Sequence, residues 1–252
     1  MSHRQTPAAL DDALSRAIEA LLRIDRPLDE RIAVFDADGT LWGADSADSL
    51  LGHVDGLDVI TPPWGSQSLL GHSDILCARD RHLGYSWAAT VYAGRTIAEV
   101  DAWAEASWLA NVRPTVFNGM ADLVAQLLAA DWDVWVVSAS PRFAVLPGLT
   151  ALGVRPDRIL AIEVETRDGR YTAVPRVPIT QGQGKVVRIR RDVPGVPLFA
   201  AGNSVDDIPM MELAERALAV NPKPIHGAQT GLATIARERG WAVSLPQERD
   251  SK

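Results

Sequence analysis

Apolar positions along the chain follow two rhythms. Leu10, Leu14, Ala17, Ile18, Leu21 and Leu22 recur at helical spacing, and Thr6 followed by Pro7 supplies a start, since Pro suits the first helical position. From residue 32 the rhythm changes to an unbroken run, "IAVFDAD", which fits a strand covered on both faces and ends on two carboxylates. Beyond Asn118 the two patterns alternate. Met120, Leu123, Val124, Leu127 and Leu128 share a helix face, "DVWVVSAS" reads as a strand ending at Ser138, and Pro141 opens another helix. Then come "RILAIEVE", a turn at Asp168 and Gly169 with "RYTAV" returning, a helix around Lys185 and the strand "PLFAAGNS". A helix from about Asp206, the strand "ALAV" and a last helix near residues 225–238 complete the pattern. Such alternation predicts an α/β fold, a three-layer doubly wound parallel sheet. Ligands of such sheets bind beyond the carboxyl ends of the strands.

Residues 44–111 break the alternation with helical runs and no strands, including "TIAEVDAWAEASWLA", where Thr96 and Glu99 have capping-box spacing. That segment is too long for a simple connection. It predicts a helical subdomain at 44–111 over the ligand-binding edge of an α/β core formed by 1–43 and 112–252.

Composition narrows the classes. With 252 residues, 47% of them hydrophobic, the chain can bury a full core, and its net charge of −7 argues against a dominant nucleic-acid surface. No run of some 18 apolar residues suggests a membrane span, and the N-terminal stretch has no uninterrupted apolar segment. A cytoplasmic protein without nucleic-acid or membrane partners is expected; nothing in the pattern sets an oligomeric state. Cys77 stands alone, without metal or redox spacing, and is expected to pack.

Four polar features fall at strand ends or helix starts: Asp36 with Asp38, Ser138 with Ser140, Lys185, and "GNSVDD" at 202–207. Taken singly they read as a turn, a cap or a solvated lysine. In a doubly wound sheet they converge on one edge. There one carboxylate can attack phosphorus while a second protonates the leaving oxygen and then activates water. Two carboxylates this close favour a bound cation, and oxygen ligands beside phosphate suit Mg²⁺, with Asn203 and Asp207 supplying further oxygens. Ser138 can donate to a phosphoryl oxygen, and Lys185 can offset developing charge.

In order, "DADGT", "VVSAS", "GKVVRI" and "GNSVDDIPMMELA" resemble the four motifs of the haloacid dehalogenase superfamily, in its phosphoserine-phosphatase-like branch with a helical cap after the first strand. The resemblance implies Asp36 as nucleophile, Asp38 as general acid/base, Ser138 as phosphate-binding hydroxyl and Lys185 as stabilising cation. It implies Mg²⁺ held by the Asp36 side chain and the Asp38 main-chain carbonyl, with Asn203 and Asp207. Gly39, Thr40, Ser140 and Asp45 are expected on the substrate side, Asp45 standing where the branch has an amine-reading Glu. Asn203 departs from the motif, which usually has Asp there. The expected function is a Mg²⁺-dependent phosphomonoesterase for a small phosphoserine-like or phosphocholine-like ester. The alternatives are a phosphotransferase or mutase and, on account of Asn203, a non-catalytic phospho-ligand-binding descendant. Arg79, Arg81 and Arg95 are candidates for a substrate carboxylate. Trp42, Trp64, Trp87, Trp103 and Trp108 are candidates for a quaternary ammonium, or else for a small core.

Overall fold

In the computed structural model, which describes residues 12–63, 65, 67–223 and 231–245, the apolar runs become strands wherever both faces are covered. The strands are β1 (Ile32–Phe35), β2 (Asp133–Pro141), β3 (Ile159–Ile162), β4 (Val164–Arg167), β5 (Arg170–Pro175), β6 (Phe199–Gly202), β7 (Arg216–Val220) and β8 (Ala242–Ser244). Six form a parallel sheet in the order β3-β2-β1-β6-β7-β8, while β4 and β5 pair as an antiparallel hairpin. The helices are α1 (Asp12–Leu22), α2 (Ser46–Leu57), α3 (Leu69–Arg79), α4 (Arg81–Thr90), α5 (Ile97–Ser107), α6 (Asn118–Ala129), α7 (Arg142–Ala151), α8 (Gln183–Asp192), α9 (Ile208–Met211) and α10 (Leu232–Glu238).

Because successive strand side chains go to opposite faces, each strand serves two cores. Ala33, Phe35, Val134, Val136, Phe199 and Ala201 cluster with α1, α6 and α7; Ile32, Val34, Trp135, Val137, Ala200 and Ala219 cluster with α8, α9 and α10. The result is three layers. Strand β1 lies between β2 and β6, with Phe35 opposite Val136 on one side and Ala201 on the other. The chain winds outward from β1 in both directions, so the crevice at its carboxyl end is the switch point at which such sheets bind ligands.

Several boundaries differ from the sequence reading. Strand β1 stops at Phe35, although the Asp36 N–H still donates to the Ala201 carbonyl at 2.9 Å. Strand β2 runs on through Ser138 and Ser140 to Pro141, with a register shift against β3, and α7 begins only at Arg142. The two buried serines hide that continuation from an apolar pattern. The run "RILAIEVE" divides at Glu163 into β3 and β4. The last three residues of "GNSVDD" form a single 3₁₀ turn, Val205–Asp207, and the four-residue α9 follows, where a longer helix from about Asp206 was expected. Strand β8, three residues long, is too short to register as a pattern. Thr6, Pro7, Leu10, Trp64 and the first part of the last expected helix lie outside the described residues.

Helices α2 to α5 fill the segment after β1 and share a core of Leu50, Leu51, Val54, Leu69, Tyr92 and Val100 with Phe143 and Ala144 of α7. Thr96 and Glu99 form the capping box that their spacing predicts. Cys77 packs against Gly84, where α3 and α4 cross too closely for any side chain at 84. The chain crosses to these helices at residues 41–44 and returns at 115–117, and the two crossings are hydrogen-bonded to each other: Gly43 N–H to the Thr115 carbonyl at 2.8 Å, Phe117 N–H to the Leu41 carbonyl at 3.0 Å. A second attachment comes from the hairpin, where Tyr171 N–H donates to the Arg95 carbonyl at 2.9 Å and Gly94 N–H to the Tyr171 carbonyl at 2.8 Å.

Candidate active site

At the carboxyl end of β1 the chain turns sharply, with the N–H groups of Thr40 and Leu41 both on the Ala37 carbonyl. That turn delivers Asp36 into the crevice, 6% exposed. Lys185 reaches it from the first turn of α8, a helix that starts so close to Ile179 that a Cβ on Gly184 would stand 1.9 Å from the Ile179 carbonyl oxygen. Lys185 Nζ lies 2.6 Å from Asp36 Oδ1 and 2.6 Å from Asp207 Oδ1, with Lys185 and Asp207 each 1% exposed. The other Asp207 oxygen accepts from Asn203 N, Ser204 N and Ser204 Oγ at 3.0, 2.9 and 3.0 Å. Asp36 Oδ2 accepts from the Thr40 hydroxyl at 3.1 Å. One ammonium thus serves two buried carboxylates. Burial and the Asp207 charge push the Asp36 carboxyl up to about 7 against the pull of Lys185. Burial works against the Lys185 charge, but Asp207 and Asp36 outweigh it and hold its pKa above the ordinary lysine value.

Asp38 has different company. Its Oδ1 accepts from Trp42 Nε1 at 2.7 Å, Ser46 N at 2.9 Å and Ser46 Oγ at 2.6 Å, and its Oδ2 from Ser140 Oγ at 2.5 Å. Every one of these donors is neutral. Burial raises the Asp38 carboxyl to about 6, the Asp45 carboxylate adds to the rise, and the hydrogen bonds from Ser140, Ser46 and Trp42 restrain it. Ser140 N–H also donates to Ser138 Oγ at 3.0 Å, and the Thr180 hydroxyl holds the Ser138 carbonyl. Asp38, Ser140 and Ser138 therefore form one connected chain.

The geometry brings Asp36, Asp38, Ser138, Ser140, Lys185, Asn203 and Asp207 together, and several of the expected site residues also hold contacts within the protein. Thr40 is spent on Asp36. Gly39 adopts φ +81° and leaves a notch: a Cβ there would stand 1.7 Å from Asn203 Nδ2. Both Asp207 oxygens are engaged by Lys185 and the 203–204 loop, so this residue anchors the cation and the loop. Asp45 caps α2, one oxygen accepting from Ala47 N at 3.0 Å and Asp48 N at 3.1 Å. Burial raises its carboxyl to about 6, the Asp48 charge adding to the rise against the pull of the cap hydrogen bonds. Arg81 pairs with Asp206 of the sheet edge at 2.6 Å, and Arg95 donates to the Val59 carbonyl, while Arg79 is exposed at the end of α3. Nor do the described tryptophans converge on a cage. Trp87 faces His72, Trp103 faces Arg95, and Trp108 packs edge-on against Trp42 at 5.3 Å. Ser46 and Thr180 escaped the sequence reading, and Trp42 was read for its ring rather than its N–H, because an indole N–H or a hydroxyl carries no charge pattern. Only the proximity of Trp42 and Ser46 to "DADGT" could have flagged them.

Among the described residues no three His, Cys, Asp or Glu side chains form a metal cage. Of the oxygens expected to hold a cation, the Asp36 carboxylate and the Asn203 amide are both buried at the crevice. Asn203 Nδ2 is buried without a hydrogen-bond partner, and rotation of the amide exchanges it for Oδ1. All-oxygen donors, few carboxylates and an excess of buried negative charge suit a hard divalent cation that keeps several waters.

Comparison with known proteins agrees with this architecture. The model of the haloacid dehalogenase-like hydrolases matches residues 33–212, and the chain belongs to that family. More particularly, several of its matches are phosphoserine phosphatases. It is 34% identical to a probable phosphatase of Mycobacterium tuberculosis over 60% of this chain and 51% of that one. It is 28% identical to a phosphoserine phosphatase of the same organism over 60% of this chain and 48% of that one. The chain thus spans about half the length of these curated relatives. A crystal structure of a Bordetella pertussis protein with unknown function superposes with a TM-score of 0.75 at 28% identity, over 86% of this chain and 98% of that one. A substrate-bound phosphoserine phosphatase shares the fold, with a TM-score of 0.58 at 16% identity over 88% and 94% of the two chains.

Proposed function

We propose that this chain is a divalent-metal-dependent phosphomonoesterase acting on a small phosphate ester through an aspartyl-phosphate at Asp36, with residues 44–111 as a cap over the α/β core. The observation that carries the reading is the contrast between two aspartates two residues apart, Asp36 buried against an ammonium and Asp38 half-buried and held only by neutral donors. An oxygen of Asp36 attacks phosphorus, the ester P–O bond breaks, and its electron pair stays on the leaving oxygen, which takes a proton from Asp38. Water then attacks the same phosphorus, gives its proton to Asp38 and frees the Asp36 carboxylate. Ser138 Oγ, which accepts from Ser140 N–H, keeps its own hydrogen for a phosphoryl oxygen, and Lys185 offsets charge as it builds. The Asp36 side chain, the Asp38 carbonyl and Asn203 would hold Mg²⁺, whose charge would let an anionic phosphate approach two carboxylates.

A phosphoserine-like substrate is favoured over a phosphocholine-like one, because Trp87 and Trp103 each face a separate partner. The free oxygen of Asp45 remains a candidate for an ammonium. The test is phosphate release from a panel of small phosphomonoesters and a nitrophenyl ester, with and without Mg²⁺, by the wild type and Asp36→Asn. Metal-dependent turnover abolished in Asp36→Asn is expected; no turnover of any ester by the wild type overturns the reading.

A further inference from the structure

We infer that Trp42 is a positioning residue for Asp38: its indole N–H, acting with Ser46, fixes which oxygen of Asp38 meets the reacting ester. The inference rests on the phosphomonoesterase reading above.

Three donors crowd one oxygen. Trp42 Nε1, Ser46 N and Ser46 Oγ all lie within 2.9 Å of Asp38 Oδ1, which uses up its lone-pair directions and leaves no room for a proton. Oδ2 has a single partner, the Ser140 hydroxyl, and a hydroxyl can turn from donor to acceptor. The proton that Asp38 hands to the leaving oxygen, and later takes from water, therefore resides on Oδ2. In the cleavage step the Asp36–phosphorus bond forms, the ester bond breaks, and the leaving oxygen acquires that Oδ2 proton.

Trp42 is held so that its N–H cannot swing away. The side chain is fully buried, its ring packs edge-on against Trp108 at 5.3 Å and 64°, and its carbonyl accepts from Gly39 N–H at 2.7 Å. Its backbone also bridges Val116, so Trp42 joins the outgoing crossing of the chain to the returning one. Ser46 is the first residue of α2. Both donors thus sit where the inserted helices meet the sheet, and Asp38 is aimed by that junction rather than by the sheet edge alone. Neither residue is among those assigned to phosphate or cation.

The test uses the full chain with Mg²⁺ and two esters: an alkyl phosphate, whose alkoxide needs a proton to leave, and a nitrophenyl phosphate, whose phenolate does not. Trp42→Phe keeps a ring beside Trp108 and removes the N–H together with the pyrrole part of the indole, a loss of packing that would weaken turnover of both esters alike. We expect kcat/KM on the alkyl ester to fall about 10-fold, a part of the roughly 10²–10⁴-fold that general acid catalysis supplies, since Asp38 itself stays in place. On the nitrophenyl ester the fall is below about threefold, and inhibition by inorganic phosphate is unchanged. Ser46→Ala should show the same contrast, and it carries the test if Trp42→Phe fails to fold. Equal losses on both esters, weakened phosphate inhibition, or no loss at all would overturn the inference. Turnover of neither ester by the wild type would instead overturn the phosphomonoesterase reading, which keeps the two failures apart.

Discussion

Around Lys185 charge meets charge: two carboxylates and one ammonium, each contact 2.6 Å long, at the bottom of the crevice. Around Asp38, a few residues along, the same kind of carboxylate meets only an indole, an amide and two hydroxyls. Burial lifts both aspartates towards neutrality, to about 7 for Asp36 and about 6 for Asp38, so acidity does not separate their roles. Their partners do. The first region carries one negative charge more than it balances and calls for a cation, whereas the second can gain or lose a proton without breaking an ion pair.

The largest effect is expected where charge meets charge. Lys185→Met fills the same space with an apolar side chain and strands two carboxylates, and removing one partner from a buried ionic group costs about 3–5 kcal/mol. For a protein of this size that lowers Tm in the metal-free state by roughly 10 °C. The loss should be larger at pH 8 than at pH 5.5, because without the ammonium the folded state binds protons more tightly than the unfolded chain and gains stability as pH falls. Calorimetric scans at the two pH values measure both. An equal loss at both would mean that packing by the Lys185 stem, not its charge, holds the region together.

Gly39 lies at the seam between the two regions, and Gly39→Ala is expected to rank second. Its φ of +81° disfavours any side chain, and the added methyl would meet the Asn203 amide. Forced out of its notch, Asn203 would cost the cation a ligand. Isothermal titration with Mg²⁺ in the absence of substrate should show affinity at least about tenfold weaker, the loss expected when about 1.4 kcal/mol of binding is removed. Unchanged affinity would remove Asn203 from the cation site and leave Asp36 and the Asp38 carbonyl to hold it.

The charged region was largely legible in the sequence and the neutral one was not. Asp36, Lys185 and Asp207 announce themselves because ionic groups at the ends of apolar runs must find partners, and a parallel sheet gathers those ends. Asp36 and Lys185, 149 positions apart, meet as that logic requires. Strand β2 shows where the logic fails: two buried serines, Ser138 and Ser140, fall in its last four residues, and a pattern based on apolar side chains stops at the first of them. Around Asp38 the decisive groups are the Trp42 N–H and the Ser46 hydroxyl, both on residues that fit equally well as plain core or helix start. Arg81 and Asp45 were read as candidates for the substrate side; Arg81 pairs with Asp206, and one oxygen of Asp45 caps α2, contacts that a charge pattern alone does not announce.

Asp45 offers the smallest and most discriminating change. Its carboxyl is raised to about 6 from an ordinary 3.8, chiefly by burial, so between those two values the folded protein keeps a proton that the unfolded chain has lost. The stability this confers is whole below 3.8 and gone once pH rises past about 6; above that, the folded state carries an ionised group it would rather shed. Asn caps a helix as well as Asp and carries no such charge, though it forgoes the attraction of a carboxylate to the helix N-terminus. Asp45→Asn should therefore be more stable than the wild type at pH 7.5, by about 1 kcal/mol or roughly 2–4 °C in Tm, with the difference closing as pH falls towards 4. If the variant is instead less stable at pH 7.5, the α2 dipole outweighs burial at this position. The charge of Asp45 would then be held by the helix start rather than shed to burial.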